Sequence, residues 1–377
     1  MAASPGTSPA QRNCLTSASV AEPVTTQAVS RRLAIPACGL VVLLAGFLTI
    51  SLSLYAQRPA SPLPNARAVA PNLTPNDPSR IRPLPATAAL AALVGEYGAG
   101  ADTIIVLERG GRIFALRNAT EIPIAVTSFA RDSAGRPIAL QLDAQRFPRR
   151  SVGTEEGITF HIVPAQSVDV LRRLALSEQP PVESGHHRRS DLTDVAGLDD
   201  GIKLDIRYAT ANNFMGAPMY SSARAFLQRP AAEALVRAHR TLAAYGFGLL
   251  IHDAYRPWYV TRMFWDATTG ADRGFVANPA TGSKHNRGAA VDLTLYERST
   301  GAAVRMTGGY DEFSERSYAQ YPGGTALQRW TRDLLRRVME RQGFTVNPSE
   351  WWHFDYEHWR EYPLLNTPFE TIGRLRR

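Results

Sequence analysis

Two separate stretches, Ser283 to Leu295 (SKHNRGAAVDLTL) and Glu350-Trp351-Trp352-His353, together hold two imidazoles and two carboxylates. His285 and Asp292 are seven residues apart. On one helix that spacing separates them by about 10 Å along the axis, too far for one ion. A loop closing onto a strand does better. Gly288, Ala289 and Ala290 permit the tight turn, and Asp292 then points inward from a strand over Ala290–Leu295. Glu350 and His353, three apart, would face opposite sides of a regular strand. A turn or bulge is therefore expected just before that strand, with Pro348-Ser349 supplying the turn chemistry. His285, Asp292 and His353 offer three N/O ligands with an open fourth position, the donor set of a catalytic zinc. Glu350 beside them is a free carboxylate able to take and return a proton. Trp351 and Trp352 are expected to wall the site off from water. Either stretch alone is a weak signal; the reading rests on both occurring together.

The chain has 377 residues, room for two domains with cores of their own. Its net charge of +8 comes from scattered arginine pairs and an Arg-rich C-terminus. No basic tract is interleaved with aromatics, which argues against nucleic-acid binding. A basic surface suits anionic wall polymers or a membrane surface. Both cysteines, Cys14 and Cys38, precede the expected folded parts. Thiol ligands, thiol nucleophiles and intradomain disulfides are thereby excluded from them.

Residues 1–30, rich in Ala, Ser, Thr and Pro, read as a disordered cytoplasmic tail. Arg31-Arg32 then precede Leu33 to Tyr55, 23 residues without a charge, enough to span a bilayer. The arginines favour a cytoplasmic N-terminal side. A signal-anchor helix over 31–56 is therefore expected, giving a single-pass inner-membrane protein with its catalytic part in the periplasm. The alternative is secretion after cleavage behind Ala56. Residues 57–87 hold eight prolines and form a semi-rigid linker.

Residues 88–180 read as a small, mainly β domain. Gly110-Gly111 between Thr103–Leu107 and Arg112–Leu116 is a hairpin signal. Ile124–Phe129, Pro137–Leu142 and Ile158–Val163 are further strand-like runs, and Pro180 to Arg189 reads as a linker. Over 190–377 the pattern is α+β with a mixed or antiparallel sheet. Strands are expected at Ile202–Ile206, Leu249–Asp253, Ala290–Leu295 and Phe344–Val346. Helices are expected at Ala231–Tyr245, Pro257–Asp266 and Gln328–Gln342. His239, on the Arg-rich first helix, is expected to face solvent; His252 and His358 read either as supports behind the site residues or as structural.

The string SKHNRGAAVDLTLY has DAYRP before it, YDEFSERS after it and EWWHFDY near the end, with YATANNFMGAPMY ahead of all four. This ordered set resembles the zinc D-alanyl-D-alanine dipeptidase family, which is related to the zinc D,D-carboxypeptidases. The resemblance covers roughly residues 191–375 and leaves 1–190 outside. It implies a metallopeptidase with one Zn²⁺ per chain on His285, Asp292 and His353. It also implies Glu350 as general base and acid, Arg256 as stabiliser of the transition-state oxyanion, and Asp311 facing the substrate amino group. Ser283 either donates to the substrate backbone or caps its loop, and Tyr208 either lines the pocket or packs. The implied reaction is hydrolysis of the free dipeptide in wall-precursor turnover. The alternatives are D,D-carboxypeptidase trimming of peptidoglycan stem peptides and a non-enzymatic, zinc-stabilised wall-binding module, against which an intact Glu350 argues.

Overall fold

The computed structural model of the protein describes residues 81–153 and 157–372. The expected membrane helix, the tail before it and most of the Pro-rich spacer lie outside these residues. No helix among the described residues is long and apolar enough to cross a membrane.

Seven antiparallel strands come first: β1 (Gly95–Tyr97), β2 (Ile104–Arg109), β3 (Arg112–Arg117), β4 (Thr120–Ile124), β5 (Phe129–Arg131), β6 (Pro137–Leu142) and β7 (Gln145–Arg150). They form one sheet in the order β4-β3-β2-β1-β7-β6-β5. It encloses a core of its own around Leu93, Tyr97, Ile104, Val106, Ile113 and Phe129. The β2–β3 hairpin turns at Gly110-Gly111, both with positive φ (56° and 74°), as a two-residue turn between twisted strands requires. Two more turns place non-glycine pairs in the same region, Asn118-Ala119 and Asp143-Ala144. They carry no glycine signal, which is why β4 and β7 were not legible. The expected strand Ile124–Phe129 is in fact the end of β4, a 3₁₀ turn at Val126–Ser128 and the start of β5.

The expected strand Ile158–Val163 is also corrected: that stretch has no regular structure. The Ile162 N–H donates to the Phe214 carbonyl (2.9 Å), and the Phe160 ring lies 5.0 Å from that of Phe313. Helix α2 (Val168–Ser177), capped by Ser167, follows and buries Leu171 and Ala175. A four-residue helical turn at Ala88–Ala91 is α1. Residues 157–177 therefore pack into the second core, away from the seven-stranded sheet.

That second core surrounds a five-stranded sheet in the order β13-β14-β12-β11-β9. Its strands are β9 (Lys203–Leu204), β11 (Phe247–Asp253), β12 (Ala290–Glu297), β13 (Phe344–Asn347) and β14 (Glu350–Tyr356); β8 (Leu192–Asp194) and β10 (Phe226–Gln228) form a separate ribbon. Only β9 runs parallel to its neighbour, so the sheet is mixed. Helices α3 (Arg229–Ala243), α4 (Trp258–Ala267), α5 (Ala326–Glu340) and the short α6 (Phe369–Ile372) pack around it. Helix α5 begins at a capping box, Thr325 with Gln328. Its apolar stripe, Trp330, Leu334, Leu335 and Val338, is buried.

The two cores meet at the start of α5. The Ala326 N–H donates to Glu108 (3.0 Å), Arg329 donates to the Glu108 carbonyl (2.8 Å), and the Tyr321 hydroxyl donates to the buried Glu96 carboxylate (2.9 Å).

His239 is a correction. It is only 3% exposed, and its Nδ1 accepts the Leu249 N–H (3.1 Å), tying α3 to β11. Burial holds its pKa below the ordinary 6.5, although Asp199 pulls the other way. As pH falls below 6.5, the unfolded chain takes up a proton that the folded chain resists, so acid removes stability. A glutamine amide can accept the same N–H without titrating. The variant His239→Gln is expected to show a smaller fall in Tm between pH 7 and pH 5 than the parent; an unchanged fall would exclude this group as a source.

Candidate active site

Two loops and three strands build the site. After α4, the chain enters a 3₁₀ turn at His285–Arg287 that ends at Gly288 with φ 63°. A Cβ at Gly288 would lie 2.4 Å from the end of the Leu192 side chain, which would have to move aside, and the left-handed φ itself favours glycine. The turn feeds β12 and places Asp292 opposite His353 of β14. The irregularity expected near Glu350 lies inside β14. The β13 ladder pairs Val346 with Phe354 and then Asn347 with Glu350, so Trp351, Trp352 and His353 bulge out of it. That bulge lets Glu350 and His353 reach one centre although they are three residues apart.

His285 Nε2, His353 Nδ1 and Asp292 Oδ1 form a triangle with sides of 3.0, 3.0 and 3.2 Å. All three residues are buried, and the cluster could hold a metal ion. The outward nitrogens are also held. His285 Nδ1 meets the Ala254 carbonyl at 2.6 Å, and His353 Nε2 meets Asp355 at 2.8 Å. With acceptors on those atoms, both rings turn a bare nitrogen toward the centre, as metal-binding histidines need. Lys284 braces Asp355 from outside at 3.2 Å. Burial alone would raise the Asp292 carboxyl, but the adjacent imidazoles outweigh it and hold the group well below the usual carboxylate range. The donor set, two nitrogens and one oxygen, fits a borderline divalent cation better than Ca²⁺ or Mg²⁺, which prefer oxygen shells.

Glu350 Oε2 lies 3.6 Å from His353 Nδ1 and accepts from Asn347 (2.9 Å). Burial raises its pKa, with His353 opposing, which moves it toward the range where a carboxyl both accepts and releases a proton. Arg256 enters from the loop after β11. Its guanidinium is clamped by Asp253 through Nε (2.9 Å) and Nη2 (2.8 Å), and Nη2 is 3.7 Å from Asp292 Oδ2. Asp253 also takes the Tyr220 hydroxyl (2.7 Å). Asp311 is buried, sits at φ 55° and accepts the Tyr208 hydroxyl (2.7 Å). Burial, and after it the Asp292 carboxylate, pushes the Asp311 carboxyl well up. Ser283 Oγ accepts the His285 N–H (3.2 Å), so it caps the loop while facing the same pocket.

All eight singled-out residues, His285, Asp292, His353, Glu350, Arg256, Asp311, Ser283 and Tyr208, line one cavity of about 220 Å³. Trp352 lines it too, whereas Trp351 does not, so only one tryptophan walls it. Sequence reasoning assigned no role to Asp253, Asp355 or Tyr310. Tyr310 donates to Asp292 Oδ2 (3.1 Å), and its ring packs at a tilt against that of His252, centroids 4.6 Å apart. Asp253, Tyr310 and Asp355 lie inside the strings DAYRP, YDEFSERS and EWWHFDY, so the motifs contain them without showing what they hold.

The peptidase M15 family described as D-ala-D-ala dipeptidase matches residues 188–368. The chain is 36% identical over 183 residues to the D-alanyl-D-alanine dipeptidase of Escherichia coli, covering 48% of this chain and 93% of that one. It is 34% identical over 191 residues to that of Enterococcus faecium (45% and 92%), and 35% identical over 201 residues to that of Streptomyces coelicolor (48% and 96%).

Metal analysis tests the triangle. The parent is expected to hold about one divalent ion per chain and His353→Ala to lose most of it; full occupancy in the variant would remove His353 from the ligand set.

Proposed function

The chain belongs to the peptidase M15 family of D-alanyl-D-alanine dipeptidases and is a hydrolase, and from that premise we propose that it uses one zinc ion to cleave the free dipeptide D-Ala-D-Ala in the turnover of wall precursors. The observation that carries the reading is the buried triangle of His285, Asp292 and His353 with Glu350 3.6 Å from one corner. A zinc ion held there would supply Lewis acidity to the peptide carbonyl and to the attacking water. Glu350, with its raised pKa, takes the proton from that water and hands it to the leaving amine. The Asp253 clamp keeps the Arg256 guanidinium facing the site, where it donates to the oxyanion that develops on the carbonyl.

Asp311 and Tyr208 line the same pocket, joined by a hydrogen bond. A substrate ammonium there meets a carboxylate that burial otherwise disfavours, and the two charges stabilise each other. Acylating the amine removes that partner, and truncating one member of a buried charge pair commonly costs about 3–5 kcal/mol. This favours the dipeptidase over the carboxypeptidase reading. Upstream, the uncharged run 33–55 behind Arg31-Arg32 supports a membrane tether with the catalytic part outside.

One assay tests the chemistry: kcat/KM for D-Ala-D-Ala and for N-acetyl-D-Ala-D-Ala. The parent is expected to prefer the free dipeptide strongly, and Asp311→Ala to narrow the gap by harming the dipeptide. Glu350→Gln should keep its metal and lose roughly 10²–10⁴-fold or more in kcat. Equal cleavage of the acetylated peptide by the parent would transfer the assignment to the carboxypeptidase. For the tether, full-length protein is expected in the membrane fraction, with protease reaching the catalytic part in intact spheroplasts; full-length protein recovered in the soluble cytoplasm refutes it.

A further inference from the structure

The two oxygens of the Asp292 carboxylate face different groups. Oδ1 points into the triangle, 3.0 Å from His353 Nδ1 and 3.2 Å from His285 Nε2. Oδ2 meets the Tyr310 hydroxyl at 3.1 Å, with the Arg256 guanidinium farther off at 3.7 Å. The outermost torsion of an aspartate is broad and only weakly restrained by its own chain. A carboxylate held at one oxygen can therefore turn. One engaged at both oxygens, by groups on different sides, cannot turn without breaking a contact.

The loop after β12 places Tyr310 for this task. The chain turns at Asp311, with φ 55°, so that Asp311 faces the catalytic cavity while Tyr310 reaches Asp292 from outside it. The Tyr310 ring is packed against three others, with centroids 4.6 Å from His252, 5.5 Å from Trp352 and 6.4 Å from Tyr208. His252 is tied down in turn. Its Nδ1 lies 3.3 Å from the Asp205 carbonyl oxygen and 3.3 Å from Asp205 Oδ2, and Arg207 donates to that carboxylate at 2.6 Å. An ionised carboxylate only accepts, so the phenol is the donor. The hydroxyl is thus delivered to Oδ2 by a ring with little freedom of its own.

We propose that Tyr310 is a positioning residue for the metal: by holding Asp292 Oδ2, it makes Asp292 a ligand through Oδ1 alone and keeps the fourth position open for the attacking water. The inference rests on reading the triangle as a metal site. Tyr310 does not line the catalytic cavity, so its influence on the reaction passes through Asp292. Outer partners of metal ligands commonly matter by about 10–100-fold in metal affinity or activity.

Zinc affinity, measured by chelator competition on the full chain, is compared in the parent, Tyr310→Phe and Tyr208→Phe. Tyr310→Phe keeps the ring and its packing and removes only the hydroxyl. Tyr208→Phe removes a hydroxyl from Asp311 instead. Zinc bound per chain at saturation reports the folded fraction, so the affinity is read on folded protein whatever the yield. The expected result is an affinity about 10–100-fold weaker in Tyr310→Phe and unchanged in Tyr208→Phe. At saturating zinc, Tyr310→Phe is expected to keep the parent's KM for D-Ala-D-Ala and to lose kcat. The visible absorption of the cobalt(II)-loaded protein, which weakens as ligands are added, is expected to fall in Tyr310→Phe as Asp292 presents both oxygens. The parent's zinc affinity and cobalt spectrum in Tyr310→Phe, or equal weakening in Tyr208→Phe, overturns this inference and leaves the metal site standing. A parent that binds no zinc overturns both.

Discussion

Asp292 is the constraint on which the rest depends. A carboxylate 2% exposed in the middle of a sheet is costly unless cations or donors surround it. Here the two imidazoles lie within 3.2 Å, the Tyr310 hydroxyl within 3.1 Å and the Arg256 guanidinium within 3.7 Å. Each of those groups is fixed in turn by an outer partner: Ala254 for His285, Asp355 for His353, His252 for Tyr310, Asp253 for Arg256. The site is a nest of hydrogen bonds, ion pairs and one ring contact around one buried charge. Chemistry that needs atoms placed within fractions of an ångström requires this kind of support.

Two backbone departures make the convergence possible. The left-handed Gly288 ends the 3₁₀ turn so that His285 and the strand carrying Asp292 face each other. The bulge of Trp351 to His353 brings Glu350 and His353 to the same centre. Bulges of this kind re-aim side chains next to active sites. A regular strand would have kept either the ligand or the proton shuttle and turned the other away.

The seven-stranded sheet has its own core, yet it is anchored to the second one at the start of α5. Glu96 and Glu108 grip residues Tyr321 to Arg329. That segment follows the loop that presents Asp311 and leads into α5. Tyr310, at the head of that loop, donates to Asp292.

The sequence by itself determined the identity of the site. Five ordered motifs contained every residue of the triangle, together with Glu350 and Arg256, because ligands and their turn residues are adjacent along the chain. It also determined the long helices α3, α4 and α5 and the central strands, where apolar periodicity is strong. Only the tertiary structure decided the outer partners. Asp253, Asp355 and Tyr310 acquire roles from groups that reach them across strands and loops, and no local pattern encodes that. The burial of His239 was illegible for the same reason: the Leu249 N–H that it satisfies belongs to the neighbouring strand. Residues 157–177 looked like the tail of the β-rich part because local propensity does not say which of two cores will take an apolar face. The meeting of the two cores was illegible as well, since Glu96 and Glu108 find Tyr321 and Ala326 only in the folded chain.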